Sequence, residues 1–195
     1  MLGATIRQIA RTYPADRRAP FAGHPAVALL RREAPAALRD ALGPDGDGLR
    51  FRGSAGLRGW AEVPWVGAFD PAVTTSATRG YYVDYLFAAD LRTVVLSLGH
   101  GAVAVRRAHG ARAPAVLRER AALIRARLPE HAGRFPAGPI DLAARGVLAR
   151  DYEASVAFAR AYDVAALPPE EMLASDLRAM VALYRLLTRR GGLEL

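Results

Sequence analysis

The chain has 195 residues, 52% of them apolar and 24% charged, and 27 basic against 19 acidic side chains give a formal net charge of +8. That length and apolar share suffice for a buried core, which excludes disorder over the whole chain and makes one domain, residues 1–195, the expectation. The sequence has no Cys, Lys or Asn, and Gln8 is its single Gln. Disulfides, thiolate zinc sites, Schiff-base chemistry, the GxxxxGK[ST] phosphate loop and the His-Asn-His nuclease motif are thereby excluded. His24, His100, His109 and His131 show no ligand spacing, so neither a metal nor a cofactor is expected. No apolar run approaches the ~20 residues that span a bilayer, and the opening MLGATIRQIARTYPADRR lacks the features of a secretory signal, so we expect a cytoplasmic protein that makes no membrane contact.

In chain order, residues 3–12 read as a short helix with Ile6 and Ile9 inward, stopped before Pro14. A second helical stretch covers about 25–42, with Pro35 interrupting it and Gly43 placed to end it. From Leu49 the pattern changes to four short aromatic and β-branched runs, LRFR, WAEVPWVGAF, YYVDYLF and TVVLSL, which predict an antiparallel sheet. Strand alternation in YYVDYLF sets Tyr81, Val83, Tyr85 and Phe87 on one face, read as core, and Tyr82, Asp84 and Leu86 on the other. Pro64 lacks a ladder donor and points to an edge or bulge beside Trp65. Helices follow at 114–128, at about 151–162, and from Pro169 with Leu173, Leu177, Met180, Tyr184 and Leu187 on one stripe. Strands in the middle with helices at both ends predict an α+β fold: a central, mostly antiparallel sheet flanked by N-terminal and C-terminal helices.

The basicity is local. Residues 91–127 carry eight Arg and one acid, Glu119, while the remaining 158 residues carry 19 Arg and 18 acids. Such a block suits phosphate-backbone contact, and it also suits arginines snorkelling from a surface helix. GSAGLRG reads equally as a hairpin turn and as a glycine loop that lets the backbone approach phosphate, with Arg52 and Arg58 nearby.

Residues 49–101, through GSAGLRGW, VPWVGAFD, TTSATRGYYVDYLF and LSLGHG, resemble the N-terminal DNA-binding domain of McrB-type modification-dependent restriction enzymes. RDYEASVAFARAYDVAALPPEEMLASDLRAMVALY resembles the family's helical tail, so the likeness covers about 3–187. The resemblance implies a reader of double-stranded modified DNA, most simply of 5-methylcytosine, that turns the base out of the duplex into a pocket and leaves cleavage to an effector nuclease or motor domain in cis or in trans. It implies a base pocket at Trp65, Tyr82 and Leu86, and a wedge loop at Leu57 and Arg58, Leu57 standing where the best-known relative has an aromatic. We add Asp84 to the pocket as an acceptor for the exocyclic amine of cytosine. Arg52, Arg79, Arg106, Arg107 and Arg112 are assigned to the DNA backbone, and His100 to either a DNA contact or a turn. The module itself is not expected to be an enzyme. Its ending at RRGGLEL fits an excised domain or a stand-alone reader that recruits a partner in a type IV restriction system acting in phage defence.

Two other readings stay open on the residues alone. One is a regulatory module whose aromatic pocket holds a free nucleobase or nucleotide without duplex recognition. The other is a hydrolase using Glu62, Asp70 and Asp84.

Overall fold

A computed structural model describes residues 1–131, 133–136 and 139–193. Helix α1 (Leu2–Asp16) buries Leu2, Ile6, Ile9 and Tyr13. It runs through Pro14 instead of stopping ahead of it. A residue before proline is disfavoured in the helical region, but Tyr13 is pinned there: its side chain is buried and its hydroxyl donates to the carbonyls of Ala55 (3.0 Å) and Ala61 (2.9 Å). Helices α2 (Pro25–Ala28) and α3 (Ala34–Leu42) are joined by a π-helical turn, Leu29–Glu33, in which the Ala34 amide bonds to the Leu29 carbonyl. The wider turn accommodates the donor that Pro35 lacks, and Gly43 ends α3 with φ 55°.

Strands β1 (Arg50–Ser54), β2 (Trp65–Phe69), β3 (Tyr81–Phe87), β4 (Thr93–His100) and β5 (Val156–Asp163) form one sheet in that spatial order, each neighbouring pair antiparallel. β1 lies against the π turn so closely that a Cβ on Gly53 would stand 2.0 Å from the Leu30 carbonyl oxygen. β2 is not an edge strand; Pro64 stands one residue ahead of it and its carbonyl accepts the Phe87 amide at 2.9 Å.

β5 corrects the helix expected over 151–162. Helix α6 (Val147–Ser155) stops and Val156 turns extended, at φ −78° and ψ 125°. The Ala-rich stretch favours a helix by propensity. Against that, a buried β4 needs partners for its outward amides and carbonyls, and β5 supplies them while Phe158 and Val156 enter the cores on opposite faces.

Helix α4 (Ala102–His109) was not foreseen, whereas α5 (Ala113–Ala126) answers the predicted 114–128 helix. Helix α7 (Glu170–Arg189) buries the predicted stripe, and the Glu170 carboxylate accepts the amides of Leu2 and, at 2.9 Å, Gly3 at the start of α1. One sheet face, Tyr81, Val83, Tyr85 and Phe87, packs on residues of α1, α3 and α7. The other packs Leu86 and Val95 against Val63, Leu142 and Ala149, the last from α6. The architecture is α+β: a five-stranded antiparallel sheet with helices on both sides. No helix among the described residues is long and apolar enough to cross a membrane.

Candidate nucleic-acid interface

The second sheet face has an uneven relief set by register. Gly67 pairs with Asp84 and Asp84 with Ser97, a row of short side chains across three strands. Beside it run Trp65, Leu86 and Val95, also in register. On the opposite flank Phe69 packs on Tyr82 with ring centroids 4.6 Å apart. The register thus brings Trp65, Tyr82, Leu86 and Asp84 onto one face. A rise of ~3.3 Å per residue separates Tyr82 from Leu86 by roughly 13 Å along β3, with Asp84 midway.

Phe69 was missed in the sequence. It sits between the two predicted aromatics, its centroid 6.1 Å from that of Trp65, and makes the site a row of three rings. Its position four residues after Trp65 on one strand was the signal that it shares the face. Trp65 is half-buried, while Tyr82 and Leu86 are 6% and 3% exposed.

Asp84 Oδ1 accepts a hydrogen bond from Ser97 Oγ at 2.5 Å. Burial pushes the carboxyl up to about 7, the Ser97 bond opposing that rise. Burial also raises Tyr82, with the Asp84 and Tyr152 groups adding to it, and lifts Tyr152 to about 12. A carboxyl that changes charge near neutrality can donate or accept a hydrogen bond, and it lies among faces suited to stacking.

The segment between β2 and β3 crosses this face. Arg52 of β1 donates to the Thr75 carbonyl and the Tyr82 hydroxyl of β3 donates to the Ala77 carbonyl, both at 2.8 Å. Since both side chains rise from one side of the sheet, the segment passes over β2 there. It is seated on the start of α4, where the Ala104 amide bonds to the Thr78 carbonyl and a Cβ on Gly101 would lie 2.4 Å from the Arg79 amide nitrogen.

The β1–β2 connection leaves from the Trp65 end of the sheet. Leu57, 86% exposed, stands at its tip beside exposed Arg58. The base of the loop is fixed. The Ala61 amide closes on the Ala55 carbonyl at 2.6 Å, and the Tyr13 hydroxyl bridges the carbonyls of both residues. Burial raises that hydroxyl to about 12, keeping it a donor. Trp60 packs edge-on against Tyr13, Phe21 and His24 and donates to the Ala19 carbonyl at 2.8 Å. Gly56 has φ 121°, and a Cβ there would stand 1.9 Å from the Gly59 carbonyl oxygen, so the tight path needs glycine. Glu62 accepts the amides of Arg145 (2.8 Å) and Gly146 (2.9 Å), tying the loop to the start of α6. Tyr13 and Trp60 were not singled out in the sequence as anchors, and Glu62 was read there only as a hydrolase acid.

The backbone arginines are not equivalent. Arg79, Arg107 and Arg112 are exposed, and Arg52 stands at the aromatic face. Arg106 is committed inside the protein: Nε bonds to Asp151 Oδ2 at 2.6 Å, Nη2 to Oδ1, and Nη1 to the Gly110 carbonyl. His100 is buried, its Nδ1 within 3.0 Å of the Gly101 carbonyl and its Nε2 within 3.2 Å of Arg120. Burial first, then Arg120, hold its pKa down to about 4, so it is neutral near pH 7 with Nδ1–H donating and Nε2 accepting. Its position is that of a brace between β4 and α5. Of the acids in the hydrolase reading, Glu62 serves backbone amides, Asp70 accepts the Ala72 amide at 2.9 Å, and Asp84 serves Ser97. Among the described residues no three His, Cys, Asp or Glu groups gather as a metal site.

Residues 8–189 match the family model described as MrcB-like, N-terminal domain. The chain belongs to this family. No curated protein matches it. Membership of the MrcB-like family supports a DNA-binding role of the McrB type in general, as a binding module rather than a catalytic one, working with a partner or fused effector.

Proposed function

We propose that this MrcB-like domain reads a modified base in double-stranded DNA by turning it out of the helix, with Leu57 filling the vacated step and the base held over the Gly67–Asp84–Ser97 row between Trp65–Leu86 and Tyr82. The observation that carries this reading is the pairing of an almost fully exposed leucine on a loop with a braced base and, at the same end of the sheet, a half-buried tryptophan beginning a row of three rings. A bare leucine in water has no stabilising role in the free protein, whereas an apolar wedge offsets the few kcal/mol lost on unstacking a base step.

Entry of a base over Asp84 requires the buried Phe69 ring, which lies over Gly67, to turn aside and the segment crossing β2 to shift, giving up the Arg52–Thr75 and Tyr82–Ala77 hydrogen bonds. Arg52 is then released toward phosphate, alongside Arg58 and Arg79. Asp84 accepts from the exocyclic amine of a cytosine while Ser97 holds the carboxyl in place. In the cell the module is the specificity element of a modification-dependent restriction system that acts on phage DNA, acting through an effector nuclease or motor.

The test is a competition titration with one duplex sequence carrying cytosine, 5-methylcytosine, 5-hydroxymethylcytosine or N4-methylcytosine at a single position. The reading expects the 5-methyl duplex to win by about tenfold or more over the unmodified one, a span of ~1.4 kcal/mol, and expects Trp65→Ala to erase the preference while the fold is kept. Equal affinity for all four duplexes would overturn it.

A further inference from the structure

The basic block of residues 91–127 is used unevenly. Arg106 is bound to Asp151, Arg120 donates toward His100, and Arg127 donates to the Arg190 carbonyl at 2.8 Å. Arg118 and Arg125 are in no ion pair among the described residues. Seven residues apart on α5, they stand about two turns, or ~10 Å, from each other along one wall of a cleft. Arg150 of α6, whose side-chain contact is a 3.4 Å approach to the Arg145 carbonyl, lines the same cleft. The cleft has a volume of about 570 Å³ and an apolar lining that includes Ala154 and Ile140. Its acid, Glu153, has one oxygen committed to the Leu142 amide at 2.9 Å, so the cationic groups are in excess.

Three guanidinium groups that enter no ion pair among the described residues are matched by phosphate oxygens, which the planar fork engages two at a time. The volume is far more than a lone phosphate fills. It falls in the ~300–1,000 Å³ range of small-molecule sites, in which apolar walls take a ring and a few polar groups fix its orientation.

We propose that the α5–α6 cleft binds a phosphate-bearing nucleotide, with its ring on the Ala154–Ile140 lining and its phosphate held by Arg118, Arg125 and Arg150. The nucleotide is either free or part of a strand, the recognised chemistry being the same. This site is separate from the aromatic face and stands without the base-flipping reading. One residue joins the two: Ile140 also packs in the cluster that holds Trp65 and Leu86, so an occupant of the cleft presses on a wall of the proposed recess.

The test is calorimetric titration of the whole chain with dCMP, with the dinucleotide pCpG and with pyrophosphate, beside titration with an unmodified duplex across a salt series. Saturable binding of a nucleotide probe, weakened about tenfold or more in Arg118→Glu/Arg125→Glu and less in Arg118→Gln/Arg125→Gln, identifies a free ligand. If instead the duplex alone responds, with lower affinity and a shallower salt slope in the same variants, the phosphate comes from the strand. Binding of every probe unchanged by both double variants, at unchanged melting temperature, would overturn the site, as would preference for a polyglutamate peptide over the nucleotides. The methylated-to-unmodified affinity ratio, read in parallel, reports on the base recess separately, so the two proposals can fail independently.

Discussion

The two faces of the sheet are built from the same strands and obey different rules. On one, Tyr81, Val83, Tyr85 and Phe87 close into a core with α1, α3 and α7. On the other, at the alternate positions of the same β3, an ionisable carboxyl lies beside a serine and a glycine of the neighbouring strands among aromatic rings, under a connecting segment near Tyr82 and next to α6. Under the proposed reading, alternation lets one strand divide stability and recognition between its two sides.

The largest expected effect separates the faces by stability. Phe87→Ala on the first face should cost ~3–5 kcal/mol in urea unfolding, whereas replacing the half-buried Trp65 by Ala on the second should cost clearly less and show itself in DNA discrimination. Equal losses would erase the distinction between the faces. Next comes the brace under the wedge loop: Tyr13→Phe removes the donor to the Ala55 and Ala61 carbonyls and should cost ~1–3 kcal/mol, with weaker binding of modified DNA through a loosened tip.

Asp84 and His100 give the comparison a pH axis. The folded-state pKa of Asp84, about 7, lies above its ordinary 3.8, so the stability it contributes is complete below the ordinary value and is lost as pH rises through 7. For His100 the folded value, about 4, lies below 6.5, so its contribution is present above 6.5 and lost as pH falls through 4. Between these values the two slopes oppose each other. Melting temperature should fall as pH rises from about 6.5 through 7 in the native chain and should hold level over that span in Asp84→Asn, which below 6.5 exposes the acid-side fall from His100. Parallel profiles for the two proteins would remove Asp84 from this role. The smallest stability effect belongs to Leu57→Ser, within ~0.5 kcal/mol of the native chain because nothing packs on an exposed tip. Its loss should appear in affinity for modified duplex.

Much of the fold is legible where periodicity and burial agree. The α7 stripe and the alternation of YYVDYLF both emerged as read, because each pattern has one way to bury its apolar side. Legibility fails where a distant contact overrides a local preference. Pro14 did not stop α1 because Tyr13 is held by carbonyls some 40 residues away, and the Ala-rich 156–163 segment became β5 because β4 needed a partner. In the candidate site the residues on β2 and β3 could be placed by alternation, Phe69 included. The Tyr13 and Trp60 supports of the loop could not, since their roles exist only once α1 and the β1–β2 connection meet. Charge was the weakest guide: eight arginines in one block gave no sign that Arg106 would be bound by Asp151 while Arg118 and Arg125 line a cleft.

Extrusion of a base is tested most directly by its effect on the neighbour left behind. A duplex carrying 2-aminopurine next to a single 5-methylcytosine should brighten on saturation with the native domain, because the probe loses its stacking partner and an aliphatic side chain takes its place. The rise should vanish with Leu57→Ser. Saturated binding of the methylated duplex with no change in 2-aminopurine emission would contradict the account.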